Sequence, residues 1–189
     1  MYHIKDDKRA QGSADLLTEA LKRLMLAKEP RPLTIALLCR EAGISRTTFY
    51  RLFDTPDDVI RFVLDRRFRD LFQDYAEQIA RAKESGASVP SPTRRYAEAF
   101  LEQAPGIAGL IRNGKLPLLQ ECHKKAMRDF APALFPDMDP TSDEFVFFVD
   151  MRTAVLTGAV TAWVETGQRA TVEEVERYAA RQLKYLIDE

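Results

Sequence analysis

The chain has 189 residues, 46% of them apolar and 30% charged, with a net charge of −1. That balance suits one or two folded domains and excludes both a disordered tail and a strongly basic nucleic-acid coat. No apolar run approaches the ~20 residues that span a bilayer, and the opening MYHIKDDKRAQGS has no apolar signal region, so a cytoplasmic protein with no membrane partner is expected. The two cysteines, Cys39 and Cys122, have no CxxC spacing and read as buried free thiols. Charge is unevenly distributed: residues 1–69 carry 14 Lys and Arg against 10 Asp and Glu, and residues 70–189 carry 14 against 19. A basic first third on an acidic remainder fits a DNA-contacting head on a body that stands clear of the duplex.

Every ordered segment has the helix period, and none alternates as a strand. Residues 13–28 place Leu16, Leu17, Ala20, Leu21, Leu24 and Met25 on one face, with Ser13 as the N-cap. Pro30 and Pro32 end this helix, since neither donates a backbone hydrogen bond. Thr34 caps a second helix through Glu41. Gly43 then makes a sharp turn, because it tolerates positive φ without steric cost. Ile44 plugs the turn into the core, and Ser45 caps a third helix reaching about Phe53.

Thr55 or Asp54 caps a long fourth helix, Asp57 to Lys83, with Pro56 in its first turn. ESGASVPSP (84–92) is a connection, and helical patterns follow at 93–104, 106–113 and 115–134. Thr141 or Ser142 caps a helix over 142–166 that Gly167 stops. Thr171 and Glu174 form a capping box for the last helix. The expected fold is all-α with about nine helices: a head over 1–55 and a helical body over 56–189.

The second and third helices form a helix-turn-helix, and the third opens with groups able to reach base edges. Arg46, Thr47 and Thr48 occupy its first turn, with Arg51 a turn beyond. Arg46 suits either a bidentate contact to guanine or a phosphate. Thr47 and Thr48 offer a hydroxyl to base or phosphate and a methyl to thymine. Thr34 and Ser45 sit where backbone N–H groups point at phosphates. Phe49, Leu52 and Phe53 are assigned to packing.

The string TIALLCREAGISRTTFYRLF resembles the helix-turn-helix of TetR/AcrR-type transcriptional regulators. The match lies in Thr34, Leu38 and Cys39, Ala42 and Gly43, Ser45, Tyr50 and Phe53. The ending WVETGQRATVEEVERYAARQLKYL is similar to the last two helices of that family. The resemblance implies a homodimer that binds double-stranded operator DNA, with the last two helices pairing with their symmetry mates. It also implies a small apolar effector that enters a cavity in the body and shifts the spacing of the two heads, either relieving repression or activating. It gives Tyr50 a phosphate contact, and it places Phe100, Ile107, Leu110, Leu119, Cys122 and Phe147 around the effector. Two positions depart from the family: Leu52, where His or Tyr is common, and Pro56, where Lys meets the backbone. Losing that Lys removes a phosphate contact and makes the salt dependence shallower. The competing reading is a protein–protein interaction module of the same shape with a vestigial head.

Other chemistries are weaker. Arg61, Arg66, Arg67 and Arg69 form a basic cluster that reads as a solvated face with Asp65 and Asp70 as partners. Cys122, His123 and Met127 suggest a metal only superficially. Adjacent helical residues point about 100° apart, and no second ligand stands at i+4. With His3 and His123 the only histidines and no GxSxG, HExxH or phosphate-binding Gly loop, neither catalysis nor a cofactor is expected.

Overall fold

The computed structural model describes the chain apart from residues 5, 6, 28, 30, 89–93, 96, 97, 100, 101, 103, 172, 176, 179, 180 and 182–189. Seven helices have defined bounds among the described residues: α1 (Lys8–Leu26), α2 (Ile35–Ala42), α3 (Arg46–Tyr50), α4 (Pro56–Ser85), α5 (Ala104–Arg112), α6 (Leu116–Leu134) and α7 (Asp143–Glu165). Residues 94, 95, 98, 99 and 102, and 173–175, 177, 178 and 181, are helical as well. The fold is all-α.

α1 begins earlier than Ser13. Asp7 is its N-cap, accepting from the Arg9 N–H at 3.0 Å. The buried face runs Ala10, Ala14, Leu17, Leu21 and Met25, a regular helical stripe, which leaves Leu16 on the solvent side at 52% exposure. Small residues carry the first half of that stripe, so the large apolar side chains mark only its second half.

The caps behave as local chemistry dictates. Thr34 accepts from Leu37 N–H, Ser45 from Thr48 N–H, and Ser142 from Phe145 N–H. Thr55 and Asp58 form a reciprocal capping box at the start of α4, with Pro56 in the first turn. Thr171 N–H and Glu174 N–H make the same exchange with Glu174 and Thr171 side chains ahead of the last helix.

Two joints hold α1–α3 to the later helices. Around residue 55, Phe49, Phe53 and Phe62 form a chain of ring contacts, and Tyr2 adds its ring to Phe62 at 5.4 Å. Tyr2 also pairs with Phe53 as a β-bridge and donates its hydroxyl to Asp65 on α4 at 2.9 Å. The second joint is α5 against the end of α1. A Cβ on Gly109 would lie 2.2 Å from the Met25 carbonyl oxygen, so only glycine permits this approach. Arg112 donates to that same carbonyl at 3.4 Å.

In the body, α4 lies along α6, and α6 packs on α7. His123 of α6 is buried between Phe68 and Phe72 of α4 and hydrogen-bonds Thr153 of α7 through Nδ1 at 2.8 Å. Burial lowers its pKa to about 4, so it is neutral. Gln120 donates to Thr157 at 3.2 Å in the next layer.

Candidate nucleic-acid interface

The turn between α2 and α3 is a Schellman motif. Gly43 has φ +68°, its N–H reaches the Arg40 carbonyl, and the Ile44 N–H reaches the Cys39 carbonyl at 3.0 Å. This closes α2 and sets the angle at which α3 leaves. Leu38 and Phe49, both fully buried, then clamp the two helices together. Arg23 of α1 donates to the Glu41 carbonyl at 2.6 Å and ties the helix pair to the first helix.

With Phe49 fixing the buried side, the opposite face of α3 is determined by helical spacing. Thr34, Ser45, Arg46, Thr47, Tyr50 and Arg51 are all exposed, and Thr48 is half-buried. Tyr50 stands 57% exposed, its ring held perpendicular to Phe49 at 5.8 Å. The side chains of Arg46, Tyr50 and Arg51 have no hydrogen-bond or ion-pair partner among the described residues. Thr48 is different: its hydroxyl lies 2.9 Å from Ser45 Oγ, inside the cap. α3 ends at Tyr50 and not at Phe53, because residues 51 and 52 form a turn that lets Leu52 and Phe53 both be buried.

The basic cluster of α4 is tied down in part. Arg61 pairs with Glu121. Arg66 pairs with Asp15 at 3.0 Å and lies over the Phe62 ring. Asp65, expected as a partner for these arginines, instead accepts from Tyr2 and lies near Cys122, whose pKa burial and this carboxylate push up to about 12. Asp58 is almost fully buried at the N-terminus of α4. Burial alone would raise its pKa, but hydrogen bonds from the Met1 ammonium and Thr55 lower it.

A cleft of about 620 Å³ opens between α1, α4 and α5. That lies within the ~300–1,000 Å³ range of small-ligand sites. Ile107, Leu110 and Leu119 of the expected effector set line it. Cys122 does not, since its thiol is turned to Asp65. Phe147 does not either. It is 71% exposed, because Phe145 and Val149 take the buried face of α7 and a residue two positions from Phe145 sits about 200° round the helix. Phe100 lies outside the described residues. The effector is expected wholly in the body, whereas this cleft has α1 of the head as one wall; Thr18, Leu21 and Met25 belong to it.

α7 has a mean hydropathy of 1.4 over its best window and, by length and composition alone, could cross a membrane; 28% of that window is buried inside the fold. Asp150 and Arg152 lie in its middle; Asp150 pairs with Lys124 at 2.9 Å, and Arg152 lies over the Phe148 ring. The apolar surplus is a stripe facing outward: Phe147, Met151, Ala154, Gly158 and Ala162 are exposed at helical spacing.

No family model and no curated protein matches the chain. Among solved structures, the fatty acid degradation regulator FadR from Bacillus halodurans is similar over 93% of this chain and 96% of its own length, with a TM-score of 0.53 and 12% sequence identity. At that identity the likeness is one of architecture, and the chain shares the all-helical fold of that structure.

Proposed function

We propose that the chain is a dimeric, sequence-specific DNA-binding transcriptional regulator of the TetR/AcrR type, a repressor whose operator affinity a small molecule modulates in the cytoplasm. One observation carries the reading. Arg46, Tyr50 and Arg51 project without hydrogen-bond or ion-pair partners among the described residues, from a helix whose buried side is locked by Phe49 and whose entry is set by Gly43. Arginines on a rigid convex edge, with no carboxylate paired to them, suit phosphates and guanine. The outward stripe of α7, aromatic at one end and small at the other, supports a second copy as the dimer partner, because a contiguous apolar face of this kind marks an interaction surface. The fold shared with a regulator is consistent with the same role.

An anisotropy titration at about 0.15 M salt tests it, with the duplex upstream of the chain's own coding sequence against a scrambled duplex. Tight binding to the first alone is expected, and Arg46→Ala weakens it by about 1–3 kcal/mol if Arg46 reads a guanine. Equal affinity for both duplexes, or none, overturns the reading and leaves the head as a protein-interaction surface.

A further inference from the structure

The cleft between α1, α4 and α5 has a chemistry of its own. Its walls are apolar: Leu21 and Met25 from α1, Val63, Leu64 and Phe68 from α4, and Leu110 from α5. Its rim is charged but nearly balanced, with Lys22, Arg67 and Arg95 facing four carboxylates, among them Asp74 and Glu102. Arg95 is already paired with Asp74. A carboxylate head entering this rim meets the carboxylates, and an ammonium meets the guanidinium groups. Neither gains enough attraction to offset leaving water.

Two polar atoms of the lining residues are sealed without a hydrogen-bond partner: Thr18 Oγ1 and Arg95 Nε. A hidden donor with no acceptor carries a standing desolvation cost. A small rotation of either side chain toward the cleft would let a neutral oxygen remove it.

From the apolar walls, the balanced rim and these two atoms, we infer that the cleft is a binding site for an uncharged amphiphile, an aliphatic body with a hydroxyl or carbonyl head. The inference rests on the proposed effector-modulated function and names the effector's chemical class and place. Occupancy bears directly on the head, because Met25 lines the cleft and its carbonyl touches Gly109 of α5.

Calorimetry on the full chain tests this, with 1-decanol below its solubility limit and decanoate and decyltrimethylammonium below their critical micelle concentrations. Decanol is expected to bind about tenfold more tightly than either ion. Val63→Trp, which fills the cleft from a half-buried position, is expected to abolish binding. Arg95→Lys keeps the charge and removes the Nε–H, and is expected to weaken decanol about fivefold without changing the fold, read by circular dichroism. An ion binding as tightly as decanol, indifference to Arg95→Lys, or no binding of any probe overturns the inference. These measurements contain no DNA. A chain that binds decanol but no operator therefore removes the proposed function and leaves the site, and one that binds operator but no probe does the reverse.

Discussion

The head–body joint and the body interior each bury an ionisable side chain, and they treat it in opposite ways. Asp58, at the start of α4, is kept charged: Thr55 and the Met1 ammonium hold its pKa below the ordinary value against the pull of burial. His123, in the middle of the body, is kept neutral by apolar surroundings, with one hydrogen bond to Thr153. A charge held by several oriented donors fixes geometry, because any shift breaks more than one bond. A neutral ring among phenylalanines is held by close packing together with its hydrogen bond to Thr153. The start of α4 is thus fixed by charge, and the α4–α6–α7 interior by packing.

The strongest way to break this contrast is at the other end of α1. Gly109→Ala puts a methyl group into the Met25 backbone, where no rotamer change relieves the clash. A loss of about 3 kcal/mol is expected in urea unfolding. A wild-type midpoint would show that α5 slides freely over α1.

Acid separates the two buried groups next. The unfolded His123 takes up protons below about pH 6.5, while the folded one resists until about 4, so stability falls as pH drops through that window. The expected loss is about 2 kcal/mol between pH 7 and pH 5, read from thermal melts, and His123→Met should flatten it. Asp58, with a depressed folded pKa, contributes stability above its ordinary value near 3.8 and loses it only at lower pH. Two successive losses on acidification are therefore expected, the body's first. The smallest effect is at a cap: Thr34→Ala removes the acceptor for Leu37 N–H and should cost about 1 kcal/mol in urea unfolding.

Features governed by neighbouring residues were legible in the sequence. Gly43, Ser45, Thr55 with Pro56, Ser142 and the Thr171–Glu174 pair all follow from backbone groups a few residues apart. The burial of Leu52 and Phe53 was legible too, since aromatic and aliphatic residues behind a turn have few other places to go. Features that depend on partners distant in the chain were not legible. Nothing local distinguishes Phe147 from Phe145. Only the packing of α7 on α6 decides which one is inside. Asp65 looks like a partner for nearby arginines, but its partners are Tyr2, 63 positions away, and Cys122. The position of the cleft was hidden for the same reason: its walls come from α1, α4 and α5, and their meeting depends on Gly109, which no pattern of apolar residues singles out.

The bridge between Tyr2 and Phe53, with the hydroxyl bond to Asp65, sets an order of assembly. During synthesis Tyr2 leaves the ribosome 63 residues ahead of Asp65, and its ring packs on Phe62, which also follows late. Closing the corner that Tyr2 forms with Phe53 and Phe62 therefore draws on residues of α4 as well as on the turn after α3. The first turns of α4 thus complete the packing of the segment that precedes them.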